Sequence, residues 1–247
     1  MDAKAHYDTH LAAFYSWMVG DFDRARGAMT TYFEAQGVRP HHHGNGLAVD
    51  LGAGTGVQTV ALARLGFRVQ AVDFNAHLLA ELRERAQGLP VKTCEGNLLD
   101  FRQQLQGEAP EVMVCMGDTL THLSSGEEVA ALLTDCYQAS GPESRLLLSF
   151  RPLTQELHDT QRFLPVRHDA NRIHTCFLEY FPDKVRVTDL LHERTPGGVW
   201  TQKASSYYKL RLSVARVVQL LEQARWQVTS QQLQQGMAYL AAKHQED

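Results

Sequence analysis

The chain has little excess charge, few cysteines and no long apolar run, and each shortage closes off a class of protein. Against 24 Lys and Arg stand 28 Asp and Glu, a formal net charge of −4 over 247 residues. That balance offers no basic surface for phosphate backbones, so no nucleic-acid partner is expected. No apolar run approaches the ~20 residues that cross a bilayer, so no membrane partner is expected either. The amino terminus lacks the basic start and apolar core of a secretion signal. The four cysteines (Cys94, Cys115, Cys136 and Cys176) lie far apart and follow no metal-ligand spacing. Three fall within or beside expected core elements and read as buried free thiols, which points to a reducing cytoplasm. His41-His42-His43 sits between Pro40 and Gly44 with no acid or thiol nearby in sequence, and reads as a surface loop. No bound metal is expected.

What is present is one strong local signal. Val49-Asp50-Leu51-Gly52-Ala53-Gly54-Thr55-Gly56 reads as a buried strand ending at an acid, then a turn with glycine at every second position. Val57, Val60, Ala61 and Leu65 follow at helical spacing. Strand, glycine turn and helix build a nucleotide-type ligand site at the carboxyl end of a parallel strand. Glycine permits the tight turn and removes side chains that would hold a ligand off the backbone. The helix start offers unpaired N–H groups and a positive dipole end. A dinucleotide fingerprint spaces its glycines G-x-G-x-x-G; here the run is D-x-G-x-G-x-G. Asp50 is a poor neighbour for pyrophosphate and a good one for a ligand with an ammonium group.

This segment resembles motif I of the class I S-adenosylmethionine (SAM)-dependent methyltransferases. Later segments extend the resemblance. Phe67 to Asp73 reads as a second strand ending in an acid, 17 residues beyond Gly56. An acid near that distance accepts from ribose hydroxyls; the alternative is an N-cap for the next helix, a role open to Asn75 as well. Phe74 is positioned to lie against an adenine face. A third strand, Pro90 to Glu95, leads to Gly96-Asn97-Leu98, where methyltransferases often carry Gly-Asp. Asn97 can still accept from the adenine amino group and donate to a ring nitrogen; the alternative is a polar loop residue. A fourth strand, Glu111 to Met116, runs into Gly117-Asp118-Thr119-Leu120-Thr121-His122-Leu123. That stretch is similar to the C-x-G-N-S-x-x-H-L segment of the glycine and sarcosine N-methyltransferase branch, with Asp118 standing where the branch has Asn.

The resemblance implies that Gly52, Ala53, Gly54, Leu98 and Met116 line the cofactor site with Asp50, Asp73, Phe74 and Asn97. It places Arg151, just after a fifth strand (Arg145 to Phe150), at a substrate carboxylate; a rim residue or internal salt bridge is the alternative. Arg24 falls near the cofactor carboxylate in a loose alignment, or on a solvated helix face. Tyr7, Phe14, Tyr15 and Trp17 give the first helix aromatic weight. Tyr15 either meets substrate and cofactor by cation–π attraction or packs as core. Asp118 or His122 could receive a proton from an amine nucleophile. His122 could equally orient its loop, and proton loss to water competes with both.

The expected fold is α/β: a doubly wound, seven-stranded Rossmann-like sheet of order 3-2-1-4-5-7-6. Residues 1–40 would form a helical lid of two helices. Residues 41–150 and 213–247 would form the SAM-binding core. Residues 151–212 read as an antiparallel β insertion over the substrate pocket. There Arg172 to Phe181 and Lys184 to Glu193 flank a Pro182-Asp183 turn, with Val185, Val187 and Leu190 among polar neighbours, and Trp200 to Leu212 follows. Ser213 would cap a final helix, and Trp226 to Leu233 with Met237 to Ala242 would close the sheet as a hairpin. The expected function is methyl transfer from SAM to a small soluble acceptor, an amine or amino acid. A nicotinamide oxidoreductase is the main competitor, and a SAM-binding protein without catalysis is a third. For the competitor, Tyr180 and Lys184 have the spacing of a Tyr-x-x-x-Lys pair but are split by Pro182, and Tyr239 and Lys243 fall on an expected strand. Oligomeric state is left open.

Overall fold

The computed structural model describes residues 2–245. The chain opens with a segmented helical arm. It comprises α1 (Ala3–His6), a π turn (Tyr7–Leu11), a 3-10 turn (Ala12–Phe14), α2 (Tyr15–Val19) and α3 (Phe22–Ala35). Two unbroken helices were expected. Instead Gly20 at φ 93° ends α2, and Asp21 starts α3 by accepting from the Arg24 N–H.

Alternating strands and helices follow: β1 (Leu47–Leu51), α4 (Val57–Arg64), β2 (Arg68–Asp73), α5 (Ala76–Arg85), β3 (Val91–Glu95), β4 (Val112–Cys115), α6 (Gly126–Ala139) and β5 (Arg145–Phe150). The carboxyl-terminal part adds α7 (Val214–Gln223), β10 (Trp226–Gln234) and β11 (Met237–His244). The seven strands lie in the order β10-β11-β5-β4-β1-β2-β3. All pairs from β3 to β5 are parallel, and β11 pairs antiparallel with both β5 and β10. This is the expected order, with β11 and β10 as its seventh and sixth strands.

β1 is buried at every position, as a strand covered on both faces must be. Val49 and Leu51 join a core with Leu132 and Leu133 of α6 and Leu220 of α7, while Ala48 packs with Ala61 of α4 and Phe33 of α3. Helix starts are capped where short polar side chains allow it. Asn75, Ser125 and Ser213 accept from the N–H groups of Leu78, Glu128 and Arg216.

Between β5 and α7 a separate antiparallel sheet forms in the order β6 (Phe163–His168), β7 (Arg172–Tyr180), β8 (Lys184–Arg194) and β9 (Trp200–Leu210). β8 alternates as expected, but its buried face carries Val185, Val187, Asp189 and Leu191. Leu190 therefore lies on the opposite face from the one expected. β6 was not expected: all six of its residues are exposed and Pro165 interrupts it. These are the properties of an edge strand, which leaves no alternation to read. Among the described residues no helix is long and apolar enough to cross a membrane.

Candidate cofactor and acceptor site

The elbow after β1 is built by backbone geometry. The Gly52 and Ala53 N–H groups both donate to the Val72 carbonyl, at 2.8 and 3.0 Å, which folds the chain back over β2. Gly52 has φ 78°, and a Cβ there would collide with Thr119. Gly54 has φ 52° and lies next to open space, with the Tyr15 ring 3.9 Å from where a methyl would sit. Any L side chain at either position would be strained.

Asp73, at the end of β2, completes the elbow. Its carboxylate accepts from the Gly54 N–H and the Asn75 N–H, each at 2.8 Å. Burial still raises its pKa against those two bonds and a third from the Phe74 N–H. Three bonds leave one lone pair unused on a carboxylate that can accept about four. The helix-cap alternative falls to Asn75, as its bond to Leu78 records.

These residues wall a cavity of about 750 Å³, within the range of cofactor sites. Gly52, Ala53, Gly54, Asp73, Phe74, Asn97, Leu98 and Met116 all line it, as do Tyr7, Tyr15 and His122. Asn97 accepts from the Leu99 N–H at 3.0 Å, leaving its amino group available. Two expected cofactor residues lie elsewhere. Arg24 is exposed on α3, outside the lining, where Ala25, Ala28 and Met29 stand instead. Asp50 is 1% exposed and accepts from the Thr59 hydroxyl at 2.6 Å, beneath the turn. Burial pushes its carboxyl up to about 7.

The loop after β4 carries a charge cluster. Asp118 sits at φ 78°, a left-handed conformation that Asp tolerates. Its carboxylate accepts from the Arg151 N–H at 2.6 Å, the Arg151 guanidinium at 2.7 Å and the Lys209 ammonium at 2.9 Å. The two cations outweigh burial and hold Asp118 well below the usual carboxylate range. Arg151 is thus engaged in the internal salt bridge, and neither it nor Asp118 lines the cavity. Lys209 was not expected in the site. One lysine in a strand of polar residues gives no signal until β9 pairs with β8 and carries it to the loop.

His122 does line the cavity. Its Nε2 stands 3.4 Å from the Tyr7 hydroxyl, and its buried Nδ1 has no partner. Burial, reinforced by Lys209, pushes the imidazole down to about 3. At neutral pH the ring is therefore uncharged and too weak a base to hold a proton. Asp118, with its oxygens occupied, is no better matched. Burial also raises the Tyr15 phenol to about 12, so it stays a donor.

The aromatic arm caps this region. Tyr7 contacts the rings of Tyr15, Phe74 and His122 at centroid distances of 5.9, 5.5 and 5.7 Å. Phe14 and Met18 pack with Leu11 and Leu191 as an apolar cluster. His6, unremarked in the sequence, holds the arm down by a 2.8 Å bond to buried Asp189. The histidine tract keeps to a surface loop, with His42 and His43 exposed. All four cysteines are free, but Cys94 and Cys176 are only partly buried, so the expected burial holds for Cys115 and Cys136.

Residues 48–143 match the family model described as a methyltransferase domain. Two curated relatives are both glycine/sarcosine N-methyltransferases. The one from Halorhodospira halochloris is 30% identical over 42% of this chain and 39% of its own length. That from Aphanothece halophytica is 27% identical over 44% and 42%. The chain thus spans about two-fifths of the length of the curated relatives it matches. Likeness of fold extends further. The CcbJ methyltransferase of Streptomyces caelestis superposes with TM-score 0.77 at 19% identity, covering 98% of this chain and 99% of that one. CalS10 from Micromonospora echinaspora, an amino pentose methyltransferase whose structure contains SAM, gives 0.73 at 16% identity over 94% and 95%. Residues 48–143 thus match a methyltransferase domain, and the chain as a whole shares the fold of solved methyltransferases.

Proposed function

We propose that this protein transfers a methyl group from SAM to a nitrogen of a small soluble molecule. One observation carries the reading. A carboxylate with a spare lone pair (Asp73) faces a cavity beside Gly54, where a Cβ would meet nothing nearer than the Tyr15 ring at 3.9 Å. Bound SAM supplies a methyl on a sulfonium, which loses its charge as the methyl leaves. The chain's own residues would bind and orient. Gly52, Ala53 and Gly54 would take the methionine end, and Asp73 the ribose. Phe74, Leu98 and Met116 would flank the base, and the Asn97 amino group would meet a ring nitrogen. Asp50 would act through the turn rather than by contact.

Chemistry of this kind gains from a dry pocket that favours a neutralising transition state over a charged ground state. The arm over the cavity, with Tyr7 and Tyr15 facing it, supports exclusion of water. Holding the nucleophile about 3 Å from the methyl supplies much of the acceleration. Uncharged His122 would accept a hydrogen bond from the acceptor and aim it. The acceptor's proton would leave to water before closure, because neither His122 nor Asp118 is matched to take it. Relatives named for glycine, sarcosine and an amino pentose support an amine acceptor. A carboxylate on that acceptor could reach Arg151 once the guanidinium turned from Asp118.

The reading is tested by incubating the full chain with SAM bearing an isotopically labelled methyl and a panel of amino acids, amino sugars and simple amines. Label should appear in one class of amine, with the demethylated cofactor formed in equal amount. Label in none of them, with SAM demonstrably bound, would leave a binding protein without catalysis.

A further inference from the structure

Behind the aromatic arm, outside the cavity lining, three side chains with metal-binding chemistry converge, their ligand atoms all within 4.8 Å of one another. His174 and Cys176 stand two apart on β7 and so share a face. Asp189 on β8 is the direct cross-strand partner of Cys176. His6 reaches the same carboxylate from α1. His6, His174 and Asp189 are 0, 1 and 2% exposed. Asp189 Oδ1 accepts from His174 Nε2 at 2.9 Å and from the Cys176 thiol at 3.0 Å, and Oδ2 accepts from His6 Nε2 at 2.8 Å. Cys176 Sγ lies 3.9 Å from His174 Nε2.

We propose that His174, Cys176 and Asp189 bind a zinc-class divalent ion with solvent as the fourth ligand, and that His6, bonded to the other Asp189 oxygen, ties the amino-terminal arm to this site on the inserted sheet. The spacing suits such an ion. Zinc bond lengths of about 2.0–2.3 Å put neighbouring tetrahedral ligand atoms about 3.3–3.6 Å apart. The three ligand contacts above, His174 to Asp189 Oδ1, Cys176 to Asp189 Oδ1 and Cys176 to His174, at 2.9, 3.0 and 3.9 Å, fall within about half an ångström of that. The donor set also selects the ion. One thiolate, one imidazole and one carboxylate suit zinc and its borderline-soft relatives, not magnesium or calcium.

Charge and protons balance. The thiol releases its proton to solvent, His174 carries its remaining proton on Nδ1, and His6 keeps its proton on Nε2 as the donor to Asp189 Oδ2. A doubly charged cation then meets one thiolate and one carboxylate, leaving a neutral centre suited to an interior that penalises net charge. Ser205 Oγ lies 2.8 Å from His6 Nδ1, so its hydroxyl donates to that nitrogen and fixes the tautomer that holds Asp189. Nothing holds the proton at the far end of His174, whose Nδ1 has no partner. No oxidation or reduction is involved.

The site escapes a reading by sequence spacing because its ligands come from residues 174, 176 and 189, and only the pairing of β7 with β8 joins them.

The test uses the full chain, stripped with chelator and titrated with Co²⁺. A His42→Ala/His43→Ala double variant removes the exposed histidine pair that could bind metal adventitiously. The expected result is one equivalent bound in both proteins, with the visible bands of four-coordinate cobalt and a thiolate-to-cobalt charge-transfer band. That band should be lost in Cys176→Ser. A second readout needs no variant: Zn²⁺ should slow alkylation of Cys176 several-fold and leave Cys94 unchanged. No band in the wild-type chain, a band unchanged in Cys176→Ser, binding that vanishes with the surface pair (an adventitious ion only), or Cys176 alkylated at one rate with and without Zn²⁺ would each overturn the site.

Discussion

Asp73→Asn separates two jobs that one carboxylate performs. Each Asp73 oxygen accepts a backbone N–H, from Gly54 and from Asn75, both at 2.8 Å. An asparagine keeps the shape but turns one acceptor into an NH₂ that faces an N–H. One hydrogen bond is lost and one buried donor is left unpaired, a cost of about 1–3 kcal/mol. Relief of a buried charge offsets part of this, since burial already raises the Asp73 pKa. The unliganded variant should therefore lose about 1–2 kcal/mol in urea unfolding. Its ribose contact would also change from a charged to a neutral acceptor. That should weaken demethylated SAM by a further 1–2 kcal/mol, roughly 5- to 30-fold in calorimetric Kd. Reduced stability with unchanged Kd would show that Asp73 only builds the elbow, and would refute the ribose assignment.

Three further outcomes follow from the buried charges and the acceptor loop. Asp50 has a folded pKa of about 7, above its unfolded value of about 3.9, so its stabilising protonated form is lost as pH rises between the two. Asp50→Asn, which can still accept from Thr59, should match wild type near pH 4 and exceed it at pH 8 by on the order of 1–4 kcal/mol in urea unfolding; equal stability at both pH values contradicts this. Asp118→Ala strands the mostly buried Lys209 ammonium, while half-exposed Arg151 turns to solvent, and should cost about 3 kcal/mol, with Lys209→Met costing less because Arg151 remains. The Asp118 folded pKa lies below the unfolded value, so its contribution is complete above about pH 5 and fades as pH falls; an acid-unfolding midpoint unmoved in Asp118→Asn would count against the cluster. His122→Asn should lower kcat for a methyl acceptor by up to about 100-fold through misplacement while leaving SAM affinity unchanged.

The sheet was legible because buried parallel strands leave continuous apolar runs punctuated by glycine and acid, as at Val49 to Gly56 and Phe67 to Asp73. The elbow was legible for the same reason: its chemistry is local. Arg151 was less so. An arginine after a strand looks the same facing a ligand or a carboxylate, and the Asp118 pairing is fixed by two loops meeting in space. Lys209, His6 and Asp189 gave no local sign, since each acquires its partner across strands or across the whole chain. β6 was invisible because an exposed edge strand needs no apolar face.

The central claim is that the glycine elbow and Asp73 hold SAM. Isothermal titration of the pure, folded full chain with SAM, then with its demethylated product, addresses it without any knowledge of the acceptor. The account predicts one molecule bound per chain, with the product competing for the same site. Absence of heat with both ligands, from protein shown to be folded, would contradict it.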